Sequence, residues 1–504
     1  MESSRKMSRT KNSFKNIFSV IIMNIIIGLI GFIKTKIFVS HLSTDTYSIN
    51  QLFYQIYSYI TLADIGFGFI ISKNLYKAFA KNDREEVNKI YSTSVKFYRI
   101  IGVSMFLISI ILSFIVPVFT QANLDSTYIR LSFLLFVTRG IIDYFFIAPR
   151  TVIEANQKSY KINYLLKAIK ILESITEIIL LLLGFDYLII LIPGIIITII
   201  IDCIICKKVF KEYSWLKNTH TFNKKHLKGT KDLLSIKIAG ILNTNTDIVL
   251  ISTFINPLSV VIYSSYCYIT TFITDTIYLI ASATVPSFAN LLYGDDEKKS
   301  YKIFKEINIF FLFIASFVTI ILSTFLTPFI KLWLGDIYAV AVPTLILFCV
   351  ITFYNIAFRA ISMTINAKGL FEKTKIASIL EAILNLTISL VLVKNIGISG
   401  ALLGTVLSRF LTTFIQNPTY VLKHIYKTTA LNYYLTYFFA LTVTAIFVSV
   451  SLFFIKLDLS SLSGFIVSGI IFALITAPIL FLIFYIFSPD FRNLTKTFSK
   501  KGAK

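Results

Sequence analysis

Runs of about 20 apolar residues recur along the whole chain, and no other feature limits its fold so tightly. A helix crossing roughly 30 Å of hydrocarbon needs a run of about that length, and there its backbone amides must find partners inside the helix itself. Fourteen candidate runs fall at 17–40, 47–72, 97–119, 128–149, 164–184, 187–206, 233–255, 259–285, 304–328, 337–360, 376–394, 397–417, 431–455 and 464–487. With 56% hydrophobic residues in 504, so much apolar surface cannot be packed as a water-soluble domain, and the expected fold class is all-α integral membrane. Basic residues Arg5, Lys6, Arg9, Lys11 and Lys15 precede the first run, but that run is too long for a signal peptide and no small-residue cleavage site follows. It reads as an uncleaved first helix.

Charge in the connections gives orientation, because Lys and Arg near membrane ends stay on the cytoplasmic side. Alternate connections are strongly basic, with eight lysines between 207 and 231 alone, whereas the opposite ones hold Lys331, Lys394 and Lys456. Both termini are therefore expected in the cytoplasm, and the basic loops account for most of the net charge of +23 without a nucleic-acid partner. Cys203, Cys206, Cys267 and Cys349 all fall within apolar runs, which points to helix packing rather than a disulfide framework or zinc site.

The chain also repeats itself. Residues 42–91 align with 255–304 at a constant offset of 213, and KAIKILESITEIILLL aligns with KIASILEAILNLTISL at an offset of 208, matching Lys167 with Lys375 and Glu173 with Glu381. Two six-helix repeats of the same orientation follow, related by a pseudo-twofold axis along the membrane normal. The expected organisation is a cytoplasmic segment 1–16, an N-terminal bundle 17–206, a basic linker 207–232, a second bundle 233–430, two further helices in 431–487 and a cytoplasmic tail 488–504.

Charges inside the spans are the candidate functional groups, since each costs about 2.5–3.5 kcal/mol at a helix centre and turns away from lipid. On the fifth run, Lys167, Lys170, Glu173 and Glu177 lie within an arc of about 120°, on a helix otherwise rich in Ile and Leu. On the fourth, Arg139 and Asp143, and Arg150 and Glu154, have the i,i+4 spacing of helical ion pairs, provided the helix stays regular. Lys34 corresponds to Asp247 at the offset of 213, so equivalent helices carry opposite charges. As a set these residues outline a hydrated cavity, although any one of them could be a structural pin. Lys34, Arg139, Lys167, Lys170 and Arg359 would suit an anionic group such as phosphate or pyrophosphate. The acidic residues Asp64, Asp143, Glu154, Glu173, Glu177, Asp247 and Glu381 would hold ion pairs, a proton or a sodium ion.

Catalytic constellations are lacking: there is no G-x-x-x-x-G-K-[ST] loop and no H-E-x-x-H, and the outer connections are short. A transporter is expected rather than an enzyme, with no cofactor or metal.

The order of several stretches resembles the bacterial flippases of O-antigen and capsule repeat units, members of the multidrug/oligosaccharidyl-lipid/polysaccharide (MOP) superfamily. They are GFIKTKIFVSHLSTDTYSIN, LADIGFGFIISKNLYKAFAKND, NTNTDIVLISTFINPLSVVIYS and LNLTISLVLVKNIGISGALLGT. Lys34 stands where related lipid-precursor flippases often have Arg, Asp247 matches an acidic position opening the second repeat, and Asp64, Gly66 and Gly68 match a D-x-G-x-G-like element. Ser48 departs from a usual Gly. The resemblance implies a MATE-like, V-shaped pair of bundles around a cationic lumen in the inner membrane. It implies alternating-access transfer of undecaprenyl-pyrophosphate-linked oligosaccharide to the periplasmic leaflet, which a proton or sodium gradient could assist. Its implied partners are that glycan and the bilayer, with a polysaccharide polymerase and a chain-length regulator as candidate proteins. Two alternatives stay open, a cation-coupled multidrug exporter of the same superfamily and a membrane polysaccharide polymerase.

Overall fold

The computed structural model describes residues 2–61, 67–219, 221–223, 246–292, 296–454 and 461–502. The described residues are overwhelmingly helical and contain no strand. Among them, nine helices are long and apolar enough to span a membrane, ten if Val342–Ala357 and Arg359–Lys368, bent by 42°, form one span. These correspond to ten of the fourteen expected runs. The run 164–184 is helical within Tyr160–Leu182 but carries too much charge to qualify. The run 47–72 crosses residues outside the described set, as does much of 233–255, and 259–285 lies within the Pro257–Leu292 helix.

The faces are those of a protein in lipid. Along Arg84–Ile115, Ile100, Val103, Leu107, Ile111 and Phe114 recur at helical spacing and are each more than half exposed. Tyr98, Ile101, Met105, Ser109 and Ser113 on the other side are buried. Lipid solvates the apolar stripe, so small and polar residues are what hold such helices to one another.

Two compact units make up the chain, residues 23–261 and residues 262–504 together with 1–22. In the first, Ser126–Asp143 and Tyr187–Glu212 start side by side. Asp125 caps one by accepting the backbone N–H groups of Thr127 (2.7 Å) and Tyr128 (3.1 Å), and Asp186 caps the other by accepting that of Leu188 (2.9 Å). The Tyr128 hydroxyl then donates to Asp186 (2.9 Å), clamping the two starts together. Backbone N–H bonds from Tyr128 and Thr127 hold the Asp125 carboxyl below its ordinary pKa, so the cap is a charged one. Tyr187 donates to Asn50 (2.8 Å), attaching the Thr44–Ile60 helix at the same end.

In the second unit, Glu297–Trp333 is the central helix, and Leu431–Phe454 and Leu462–Phe487 both pack on it. Phe325 meets Phe465 and Phe472 edge-on at 5.5 and 5.4 Å.

Candidate functional site

The polar stripe on Tyr160–Leu182 is the centre of an ion-pair network. Glu177, 6% exposed, pairs with Lys34 from the Glu2–His41 helix and accepts Arg139 Nη1 at 3.0 Å. Arg139 also lies against Glu173, with Nε 3.6 Å from Oε1, and Thr198 donates its hydroxyl to that oxygen at 3.0 Å. Four helices thus converge on two carboxylates, which two cations neutralise. Desolvating these groups is costly, and mutual pairing offsets the cost.

Two glycines admit close neighbours here, Gly194 the Arg139 side chain and Gly140 the Tyr57 ring. A Cβ on Gly194 would sit 2.9 Å from Arg139 Cδ, and one on Gly140 would sit 2.1 Å from the Tyr57 hydroxyl. Gly194 follows Pro193, which cannot donate a backbone hydrogen bond, so the Tyr187–Glu212 helix is modified where the guanidinium crosses it.

Lys167 and Lys170, about two turns and one turn before Glu173, belong to the same stripe, yet among the described residues no ion pair reaches either. Lys167 is half-buried and Lys170 exposed. The stripe therefore has both carboxylates satisfied and two cations left over.

The i,i+4 pairing expected on the fourth run does not form. Residues 144–146 make a turn after Ser126–Asp143, and a new helix, Ile147–Ala155, starts before Pro149. Arg139, although on the same helix as Asp143, pairs with Glu173 and Glu177, and past the turn Arg150 pairs with Asp143 and with Asp202 of Tyr187–Glu212. Glu154 is exposed and has no ion pair among the described residues. Asp247 is buried in the helix 246–254, beside the Tyr59–Thr246 contact of 3.3 Å. Asp64 and Gly66 lie outside the described residues.

In the second unit Glu381, the repeat equivalent of Glu173, accepts Arg409 Nε (3.3 Å) and the Thr413 hydroxyl (2.7 Å). Arg409 reaches Asn355 as well (3.0 Å) and lies over the Tyr354 ring. At the position of Glu177 stands Asn385, which donates to Thr405 at 2.9 Å. The two repeats share a buried glutamate and differ in charge beside it. Arg359 lies apart, stacked over Tyr278 at 4.6 Å. Sequence reasoning missed Asp202, Thr198, Gly194 and Arg409; a lone aspartate inside IIIDCIIC was the one available signal among them.

A family model described as polysaccharide biosynthesis protein matches residues 13–292, more than half of the chain. Among solved structures the chain is similar to the lipid II flippase MurJ in an inward closed conformation, with TM-score 0.67, 16% identity and coverage of 92% of this chain and 98% of that one. An inward-facing MATE multidrug resistance transporter of the MOP superfamily gives 0.58 at 14% identity, covering 85% and 98%. A variant of the Vibrio cholerae MATE transporter VcmN gives 0.55 at 12%, covering 84% and 100%. No curated protein sequence matches. At such identities the structural likeness speaks for the fold alone, while the family match covers the whole Lys34, Arg139 and Glu177 network. The chain is a multi-pass membrane protein with a MOP-type, MATE-like fold, and it belongs to the polysaccharide biosynthesis protein family.

Proposed function

We propose that this chain is a flippase for a lipid-linked oligosaccharide, carried as undecaprenyl-pyrophosphate-linked repeat unit of an O-antigen or capsule from the cytoplasmic to the periplasmic leaflet of the inner membrane. The observation that carries the reading is the charge balance of the Tyr160–Leu182 stripe. Its carboxylates are matched by Lys34 and Arg139, while half-buried Lys167 and exposed Lys170, on the same apolar helix, have no carboxylate among the described residues. Ammonium groups without a counter-charge on a membrane helix need water or an anion. A pyrophosphate supplies the anion, and the sugar and prenyl parts stay outside the charge site.

In the topology set by the basic loops, Lys167 and Lys170 lie nearer the cytoplasmic end than Glu173 and Glu177. The pyrophosphate meets these lysines first and then competes with Glu177 for Lys34 and Arg139. Family membership supports a role in polysaccharide assembly, and the MurJ-like fold suits a lipid-linked cargo. The MATE likeness keeps drug export as the rival reading.

The test follows lectin access to polyprenyl-linked glycan on spheroplasts that lack the protein or express wild type or a Lys167→Gln, Lys170→Gln double variant. Glycan made but inaccessible without the protein, exposed by wild type and not by the double variant, is the expected result. Unchanged access with altered drug tolerance would favour the exporter, and altered chain length alone would favour the polymerase.

A further inference from the structure

A second charged cluster in the same unit is not balanced by its own residues. Where Ser126–Asp143 ends, the turn at 144–146 swings Ile147–Ala155 toward Tyr187–Glu212, against which it packs. Arg150 Nη2 donates there to Asp143 Oδ1 and to Asp202 Oδ1 at once. Asp202 is wholly buried and Arg150 is 8% exposed, while the Asp143 side chain is one third exposed. Two carboxylates facing one guanidinium leave a negative charge over, in surroundings where Ile201 and Ile205 are buried beside it. No donor reaches Asp202 Oδ2, and Arg150 Nε has no acceptor. Because the Oδ1 atoms of Asp143 and Asp202 accept from the same Arg150 Nη2, that shared donor holds the two carboxylates close to each other. Two ionised carboxylates have no hydrogen to share and repel, whereas one proton between them supplies the missing donor and restores neutrality. The other titratable groups at the cluster are Cys206, beside Arg150 and Asp202, Cys203 next to Cys206, and Glu154 near Arg150.

We infer that Asp143, Arg150 and Asp202 form a proton-binding site centred on the buried Asp202, in which one proton is held between the two carboxylates while the guanidinium neutralises the remaining charge. The proton belongs to the pair rather than to either residue. Losing it leaves an uncompensated charge at a fully buried position, so the packing of Ile147–Ala155 on Tyr187–Glu212 is linked to proton occupancy. This assignment goes beyond the proposed flippase activity and does not rest on it.

Infrared spectra of the purified full-length protein, recorded through a pH titration, test the site by the carbonyl stretch of a protonated carboxylic acid. Wild type is expected to keep such a band at neutral pH. Asp202→Asn, which copies the shape and hydrogen bonding of the protonated acid, should remove it and leave the melting temperature at neutral pH unchanged. Asp143→Asn should remove the same band, because one proton serves both groups. Cys206→Ser, a conservative change at a neighbour, should shift the band without abolishing it, which keeps the test decisive if either aspartate variant fails to fold. A wild type with no such band, or a band indifferent to all three substitutions, would overturn the inference. So would a melting temperature raised by sodium but not by choline at equal ionic strength, with the rise lost in Asp202→Asn, since the ligand would then be sodium.

Discussion

Arg139 touches both Glu173 and Glu177, and the space it occupies exists because residue 194 has no side chain. Gly194→Val should therefore push the guanidinium from its partners, costing about 1–3 kcal/mol of stability by overpacking and lowering transport more than Gly194→Ala does. Thermal melting together with lectin access measures both. Glu177→Gln leaves Lys34 and Arg139 facing a neutral amide, with an expected loss of about 3–5 kcal/mol, whereas adding Lys34→Gln should recover part of it. A double-mutant cycle in detergent reads that coupling, and strictly additive losses would argue against a direct pair. The charged stripe itself was legible in sequence, because four charges on an Ile- and Leu-rich helix stand out and their phase follows from 100° per residue. Their partners were not. The i,i+4 rule assigns Asp143 to Arg139 on Ser126–Asp143, but it takes no account of carboxylates on other helices; Pro149, which cannot donate to residue 145, was the one warning in GIIDYFFIAPR of the turn at 144–146 that brings Arg150 to Asp143. Gly194 was silent, since what a glycine makes room for lies on another helix.

Tyr160–Leu182 cannot be a self-sufficient span: with four charges in its stripe, at about 2.5–3.5 kcal/mol each near a helix centre, it depends on neighbours that supply counter-charges. Tyr187–Glu212 holds a single acidic residue, Asp202, in its apolar run. Placed one at a time in a glycosylation-mapped insertion reporter, Tyr187–Glu212 should insert almost fully and Tyr160–Leu182 poorly, with Lys167→Leu and Lys170→Leu improving the latter. Efficient insertion of the unmodified Tyr160–Leu182 segment would show that its charges do not need the network. The run lengths that located most helices say nothing of interruptions within them. The expected run 337–360 is instead two helices bent by 42° at Phe358, where Arg359 begins the second piece.

For the whole molecule, the uneven distribution of Lys and Arg sets a sidedness that cysteine labelling checks directly. With Cys203, Cys206, Cys267 and Cys349 replaced, a cysteine at exposed Asn123 should react with an impermeant maleimide on intact spheroplasts, and one at exposed Lys298 should react only after lysis. The opposite pattern would invert the direction of the proposed transfer. Glu177 has two cationic partners, so an incoming anion that takes Lys34 still leaves it held by Arg139. At an effective dielectric near 20, each close unit-charge contact is worth about 4 kcal/mol, before desolvation is subtracted. A monoanion can replace only one such contact, while a group with several ionised oxygens can draw both Lys34 and Arg139 from Glu177. Admission would then be decided by valence rather than by shape, which leaves the attached glycan free to diversify without any change at the charges that admit it.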